Sequence, residues 1–324
     1  MSTELVLLGT AGAPLPVAGR GGICSALVVD GRVFLIDCGR GSPSAYADAG
    51  LDFTRLEAIF LTHLHADHVG DLPGMLLYPW GVRGGEDGPL APIVVYGPGR
   101  PGALPGGDAT FRRVTTIEPQ LPAPGAADLV GHILAGFAFH LNVMPLDALM
   151  PDAGALVRAV EVHVEPLSGP RAPASVAVFD DGALRVRAVA VTHGRAMPAL
   201  AYRFDTPDGS VAFSGDTTPN DALIALADGA DLLVHCVADI GYLGRHGTSG
   251  PELERMRALL TDIDQVGGVA ERANVGQLVL THYIPADPDA IPSEQWAARA
   301  GVGFSGPTIA GADGLRLQVG RARP

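Results

Sequence analysis

The sequence contains no lysine. All 22 basic residues are therefore arginine, and 35 acidic residues bring the formal net charge to −13. A wide, non-specific attraction to phosphate backbones needs a basic surface, so this charge argues against a nucleic-acid partner. A local patch of arginine is still compatible with it.

Cysteine is also scarce. Cys24, Cys38 and Cys236 are widely spaced and form no C-x-x-C pair, which indicates neither a disulfide framework nor a thiolate zinc knuckle. The first residues lack the basic region of a signal peptide, and glycine, proline or charge interrupts every apolar run before it reaches the length of a membrane span. We therefore expect a cytoplasmic protein with no membrane partner.

What the chain does contain is enough apolar sequence for a large core, since 47% of its 324 residues are hydrophobic. Short apolar or alternating runs such as Glu4–Leu8 and Leu56–Leu61 predict strands. The segments Pro251–Leu260 and Asp264–Ala273 predict helices. Because helices and strands interleave along the whole chain, the pattern indicates a layered α/β fold.

The segment THLHADHVGD concentrates four potential metal ligands directly after the predicted strand Leu56–Leu61. Alternate positions of an extended loop point the same way, so His63 and His65 converge on one point while Asp67 and His68 reach a second. Neutral imidazoles and carboxylates at this density suit a borderline metal such as zinc. A solvated, histidine-rich loop is the alternative, but four ligand types in the order HxHxDH favour a metal site.

The HxHxDH motif resembles the signature of the metallo-β-lactamase superfamily. The opening LGTAGAP and the later LIDCGRG are similar to the ribonuclease Z and arylsulfatase-like branch, and VTHGRAMPALAYRF, FSGDT and LVLTHYIPAD supply further landmarks in order. The resemblance covers most of the chain. It implies an α/β fold, namely a four-layer αββα metallo-β-lactamase sandwich, formed as a single domain over residues 1–324.

The resemblance also implies a complete dinuclear site. One metal would be bound by His63, His65 and His193, the other by Asp67, His68 and His282, with Asp216 bridging them. Two ions about 3.5–4 Å apart would share a water, lower its pKa and stabilise both the attacking and the leaving oxygen. Zinc is the default expectation, and manganese or iron would use the same ligands.

The candidate catalytic residues are Asp67 and His235. His235 lies at the position of the branch's His-Glu pair, where it would either donate a proton to the leaving group or be a buried structural residue. Cys236 replaces the glutamate of that pair. Asp37 either orients a ligand histidine or caps a turn, and His246 is expected to tie loops together.

Residues of about 99–183 are predicted to form an insertion with one or two helices that roofs the active site. The resemblance places a similar insertion in arylsulfatase-like and phosphodiesterase-like members. Its apolar residues would either line a pocket for an aryl leaving group or pack the insertion onto the core, and His140 and Asn142 are the more probable substrate contacts. The pocket candidates are Trp80, Phe137, Phe139, Leu141 and Met144.

These features predict hydrolysis of a small-molecule ester, most of all a phosphodiester or an aryl phosphate or sulfate. The alternatives are a carboxylic ester or lactone hydrolase, a ribonuclease Z-like enzyme that cuts the 3′ trailer from precursor tRNA, and a non-catalytic or biosynthetic metal-binding member of the fold. A thioesterase or β-lactamase fits the motif contexts less well. Only DTPDGS separates PALAYRF from SGDT, which leaves no tRNA-gripping arm there, so a nucleic-acid partner is judged unlikely. A homodimer is also expected.

Overall fold

The computed structural model describes residues 2–82, 91–102, 116–147, 154, 156–167 and 172–320, and these form two mixed sheets of seven strands each. The first sheet contains β1 Thr3–Gly9, β2 Cys24–Val29, β3 Arg32–Ile36, β4 Leu56–Phe60, β5 Ile93–Pro98, β6 Val157–Val162 and β14 Arg316–Gln318. The second contains β7 Val176–Asp180, β8 Arg185–Val191, β9 Ala199–Asp205, β10 Ser210–Phe213, β11 Leu232–Ala238, β12 Gln277–Ile284 and β13 Thr308–Ala310. Their orders are β14-β1-β2-β3-β4-β5-β6 and β13-β12-β11-β10-β9-β8-β7.

The two sheets face each other across an aromatic and aliphatic core. Successive side chains of a strand point to opposite faces, so Ala58 and Phe60 of β4 enter this core while Ile59 faces the other way. The ring of Phe60 lies edge-on to Tyr202 and Phe204 of the opposite sheet, at centroid distances of 5.6 and 5.0 Å. Both sheets are therefore buried on their inner faces.

Helices cover the outer faces. Tyr46, Met75 and Val130 pack against the first sheet, and Leu223, Val266 and Trp296 against the second. This arrangement confirms the predicted four-layer αββα sandwich. The helices in the described residues are α1 Ser42–Asp48, α2 Ala66–Val69, α3 Leu72–Leu77, α4 Ala126–Gly136, α5 Ala138–Val143, α6 Asp221–Ala227, α7 Ile240–Arg245, α8 Gly250–Arg257, α9 Ile263–Arg272 and α10 Ser293–Ala300.

Helix α9 shows how the local sequence produces this layer. Asp262 and Gln265 form a capping box that satisfies free amides at the helix start. Ile263, Val266 and Ala270 recur at helical spacing and are buried against the second sheet. The predicted helix over Asp264–Ala273 is thus confirmed within one residue at each end.

The segment predicted as an insertion contributes to the sandwich itself. Its helices α4 and α5 were expected, but β6 and β7 were not; β6 pairs with β5 at one edge of the first sheet, and β7 with β8 at one edge of the second. The two helices pack beside α3 on the outer face of the first sheet, through Val130 and Leu141. The described part of this segment therefore does not roof the site with its helices. The remainder, including 103–115 and 148–153, lies outside the described residues.

The predicted absence of an arm between the PALAYRF and SGDT segments is borne out by β9 and β10. These strands pair directly as an antiparallel hairpin, with Asp205 opposite Ser210. The amide of Thr206 donates to the carbonyl of Gly209 at 2.9 Å and closes the turn. No long excursion exists at this point of the fold.

In the described part of the chain, no single helix has both the length and the apolar composition needed to cross a membrane. The bent pair Ala126–Gly136 and Ala138–Leu146, with a 66° angle between its helices, meets these requirements only when both helices are counted together.

Candidate metal centre

The predicted ligands meet at one edge of the two facing sheets. His63 and His65 follow β4, His193 follows β8, and Asp216 follows β10. Asp67 and His68 lie in the short helix α2 rather than on an extended loop. His282 lies inside β12, not after it, at a register irregularity and with a φ of 51°. The irregularity re-aims a side chain that regular pleating would direct differently.

His63, His65 and His193 form what we call the outer set. The ring nitrogens His65 Nδ1 and His193 Nε2 are 3.2 Å apart, and the ring of His63 lies 4.5 and 4.8 Å from those two rings. His193 Nδ1 donates to the carbonyl oxygen of Leu259 at 2.8 Å. That bond fixes the tautomer and leaves Nε2 with a lone pair directed at the centre.

Asp67, His68 and His282 form the inner set. His68 Nε2 is 3.2 Å from His282 Nε2, which is 3.4 Å from Asp67 Oδ2. Each of the three offers an atom within 4.8 Å of the others, as do the three residues of the outer set. The residues predicted for the two metals are thus brought together in the predicted groups.

Asp216 lies between the two sets. Its Oδ2 is 3.6 Å from His193 Nε2 in the outer set, while its Oδ1 is 3.6 Å from His68 Nε2 and 3.3 Å from His282 Nδ1 in the inner set. Oδ1 is buried and has no hydrogen-bond partner. Each carboxylate oxygen therefore faces a different set, as a bridging ligand requires.

Asp37 holds the inner set in place. Its Oδ2 accepts from His68 Nδ1 and from the Thr62 hydroxyl, each at 2.8 Å, and its Oδ1 accepts from the Thr62 amide at 2.8 Å. Asp37 has a φ of 60°, a left-handed conformation that is uncommon outside glycine. The residue thus orients His68 and also fixes the chain entering His63, which agrees with the first of its two predicted roles.

Gly12 is a part of the site that the sequence analysis missed. A Cβ atom at this position would lie 2.8 Å from His282 Nδ1, well inside van der Waals contact. The amide of Gly12 also donates to the carbonyl of Tyr283 at 3.1 Å. Glycine is therefore required for the loop to pack against the His282 ring, and the small residues of LGTAGAP were the only signal in the sequence.

The cluster has the distances and electrostatics of a cation site. Nitrogens bound to one tetrahedral zinc at 2.0–2.1 Å are about 3.3 Å apart, close to the two nitrogen pairs at 3.2 Å. His63 Nε2, Asp216 Oδ1 and His282 Nδ1 are buried without hydrogen-bond partners. Burial lowers the pKa of His63 and keeps it neutral, and although burial also opposes ionisation of Asp216, the charges of His282 and His68 hold that pKa well below its usual value. These donors fit divalent metal ions.

His235 and His246 are not brought into the cluster. His235 is completely buried, and burial lowers its pKa to about 4. Its Nδ1 donates to the Cys236 carbonyl at 2.6 Å. His246 is exposed, where it stacks on Tyr242 at 3.8 Å and bonds that residue's carbonyl. His235 therefore has the geometry of the structural alternative rather than that of a proton donor to a leaving group.

Of the two alternatives for the apolar residues of the insertion, packing onto the core fits Trp80 and Leu141 better than an aryl pocket. Trp80 and Leu141, the latter on α5, are buried in the core cluster on the outer face of the first sheet, while Phe139 is 83% exposed. His140 is exposed and lies edge-on to Trp80 at 5.6 Å. Trp80 and Leu141 therefore stabilise the packing of the insertion on the core. The protein surface near the metal centre is formed by other residues.

Two grooves open beside the outer set instead. The first, which we call the arginine groove, has a volume of about 570 Å³ including its open mouth and is lined by His63, His65 and Arg195, among others. The second, the apolar groove, measures about 770 Å³ and is lined by His193, Val191 and Leu167, among others. Met197 and Pro198 contribute to both grooves and form the wall between them.

Comparison with known proteins agrees with this centre. The family model described as the metallo-beta-lactamase superfamily matches residues 19–262, which include six of the seven clustered residues. The chain belongs to the metallo-β-lactamase superfamily. It is 31% identical over 322 residues to a protein named ribonuclease Z from Mycobacterium bovis, covering 98% of both chains. This metallo-β-lactamase chain is thus a metal-dependent hydrolase that fits the ribonuclease Z branch.

Solved structures share the fold over the same span. The short form of human tRNase Z aligns with a TM-score of 0.60 and 20% identity, covering 98% of this chain and 99% of that one. A metallo-beta-lactamase fold protein from Bacillus subtilis aligns with a TM-score of 0.63 and 16% identity, covering 98% and 100%. At these identities the likeness shows the fold alone.

The relatives overturn one expectation from the sequence. A small-molecule ester substrate was predicted and a nucleic-acid partner was judged unlikely, and that prediction is wrong, because full-length relatives are named as ribonucleases. The net charge of −13 is a sum over the whole sequence and does not report where single arginines such as Arg195 lie relative to the site.

Proposed function

We propose that this chain is a dinuclear, metal-dependent phosphodiesterase of the ribonuclease Z type that cleaves the 3′ trailer from precursor tRNA. The observation that carries the proposal is the 31% identity to a ribonuclease Z over 98% of both chains. The seven clustered ligands support it, because a relative that had lost catalysis would have no need to keep a complete site. The same identity makes the RNA alternative from the sequence analysis the preferred one.

In this proposal the outer set binds one ion, the inner set binds the other, and Asp216 bridges them. Zinc is the proposed metal because histidine nitrogens dominate the donor set and their spacing suits a tetrahedral ion. Metal analysis of protein purified without chelators, after supplying zinc, manganese or iron separately, decides between these ions. A preference for manganese or iron with the same stoichiometry would change the metal but not the function.

Two divalent ions at this centre would activate a water molecule and stabilise the attacking and leaving oxygens of an in-line displacement at phosphorus. Within the protein, Asp67 is the proposed catalytic carboxylate. Its side chain is 11% exposed, whereas that of Asp216 is 5% exposed and faces both sets. The hydrogen bond from His282 and the charges of His68 and His282 outweigh burial and lower the pKa of Asp67, so it is ionised and able to accept a proton.

The proposal must accommodate two departures from the branch. The β9–β10 hairpin has no arm, so tRNA must be held by other surfaces, of which the arginine groove is the described candidate. Cys236 stands where the branch has a glutamate, and burial raises the pKa of its thiol to about 12, so it supplies no charge at neutral pH. Positioned acid catalysis is worth about 10²–10⁴-fold. We therefore expect a slower enzyme rather than a different substrate.

The experiment is cleavage of a precursor tRNA with a labelled 3′ trailer by the metal-loaded protein, with product ends mapped at nucleotide resolution. We expect one cut at the trailer junction, absent in Asp216→Ala. A precursor with a mutated acceptor stem, of identical length and charge, controls for non-specific nuclease activity. An uncut precursor in the presence of protein that carries two ions would contradict the proposal.

A further inference from the structure

The two grooves beside the outer set differ in chemistry. The arginine groove is lined by Arg195 together with His63 and His65. Among the described residues that line the apolar groove, His193 is the only ionisable side chain, and the walls are formed by Val164, Leu167, Val191 and Met197. A charged channel and an uncharged one therefore meet at the metal centre.

Both grooves reach the outer set from different directions. His63 and His65 line the arginine groove, whereas His193 lines the apolar groove, and their rings lie within 5.0 Å of one another. Met197, which lines both grooves, is 50% exposed. An extended ligand held at the centre can thus place one end in each groove.

RNA is a ligand of that kind, with charge on its backbone and apolar faces on its bases. On the basis of the proposed function, we propose that the apolar groove binds the nucleobase of a nucleotide adjoining the scissile phosphate, while Arg195 contacts a backbone phosphate on the other side. Flexible apolar side chains such as Met197 and Leu167 offer contact to either face of any base. Contact of this kind is possible with any base, because every base presents two flat, largely apolar faces.

The chemistry of the apolar groove favours one unpaired base over a duplex. A duplex presents its phosphates outward, and the described walls of the apolar groove offer no cation to receive them. An unpaired base leaves water for an apolar surface and gains contact on both faces. The described walls contain no phenylalanine, tyrosine or tryptophan ring, so the gain comes from burial of apolar surface, and burial of about 60 Å² of a base corresponds to about a tenfold gain in affinity.

The first test uses precursor tRNAs that carry one abasic nucleotide on either side of the cut. For the wild-type protein we expect kcat/KM to fall about tenfold for one of the two abasic substrates, because the apolar burial of the missing base is lost. In Leu167→Asp, which places a carboxylate in the apolar groove, the intact and abasic substrates should be cut at equal rates. Val302→Asp is the matched control, because Val302 is a 68% exposed apolar residue outside both grooves.

A second variant keeps the test valid if Leu167→Asp does not fold. Met197→Ser shortens the exposed top of the wall without touching the core, and it should reduce the discrimination between intact and abasic substrates at least threefold while metal content stays at two ions. Equal cutting of intact and both abasic substrates by the wild-type protein would overturn the base-binding groove. The proposed ribonuclease activity would stand in that case, since the intact substrate is cut.

A binding measurement separates this proposal from the proposed function. Titration of the metal-loaded protein with adenosine monophosphate and with inorganic phosphate should show at least fivefold tighter binding of the nucleotide, and Leu167→Asp should remove that difference. Equal affinities for the two probes would overturn the base-binding groove. The nucleotide preference with no cleavage of any RNA would support the groove and contradict the proposed function.

Discussion

The outer and inner ligand sets differ in what surrounds them. The outer set borders both open grooves, and its His65 is exposed. His68 and His282 of the inner set are buried between the sheets and line neither groove; Asp37 holds His68, and the backbone of Gly12 packs against His282. From this contrast we propose that substrate approaches from the outer set, while packing defines the inner set.

Removal of Asp216, the proposed bridging ligand, should affect both sets and have the largest effect. In Asp216→Ala both sets lose the carboxylate that faces them, so we expect metal content to fall from two ions to fewer than one and RNA cleavage to fall below detection. Metal analysis by mass spectrometry and the trailer assay measure these outcomes. Retention of two ions would show that the sets do not depend on Asp216.

A methyl group at Gly12 should impair metal binding by the inner set and leave the outer set unchanged. Because its Cβ would lie 2.8 Å from His282 Nδ1, Gly12→Ala must displace that ring, and we expect one bound ion instead of two. Gly268→Ala is the matched control, since a Cβ there meets nothing within 4 Å. Two tightly held ions in Gly12→Ala would contradict the close packing inferred for the inner set.

Loss of the partner that orients His68 should lower the affinity of the inner set for its metal ion without abolishing binding. Asp37→Asn replaces an acceptor of His68 Nδ1 by an amide, and partners of this kind typically contribute about 10–100-fold to metal affinity or activity. Chelator competition should show this loss for one of the two ions only. Asp228→Asn, at an exposed turn, serves as control, and equal weakening of both ions would count against separate sets.

A substitution beside the outer set should lower the rate of RNA cleavage and leave the metal content unchanged. We expect Arg195→Gln to lower kcat/KM for precursor tRNA about three- to tenfold at low salt. One lost phosphate contact should reduce the slope of log affinity against log salt by about 0.7. Arg272→Gln on α9 is the control because its guanidinium pairs with Asp221 on the outer helical layer. An unchanged slope would show that Arg195 does not contact a phosphate of the RNA.

The clustered side chains could be predicted from the sequence, whereas the packing around the inner set could not. The motif HxHxDH and the ends of buried strands are local patterns, so all seven clustered side chains were named in advance, although their role as ligands stays a prediction. Gly12 was missed because its contact with His282 joins positions 270 residues apart. A spatial neighbour of that kind leaves no local pattern.

The predictions that failed concern surfaces rather than the core. Strands β6 and β7 are edge strands with half-exposed residues, so their apolar signal is weak among glycine and proline. The helices α4 and α5 were predicted, but their position beside α3 depends on which face is buried. The two grooves are formed by five separate stretches of chain, and no composition shows where those stretches meet. The homodimer stays a prediction, which light scattering can test.

The most direct test of the account is a crystal structure of the metal-loaded protein with anomalous scattering recorded at the absorption edge of the bound metal. The account predicts two peaks about 3.5–4 Å apart. One should lie among His63, His65 and His193, the other among Asp67, His68 and His282, with one oxygen of Asp216 directed at each. A single peak, or a peak bound by residues outside these seven, would contradict the dinuclear centre on which the proposed cleavage of RNA depends.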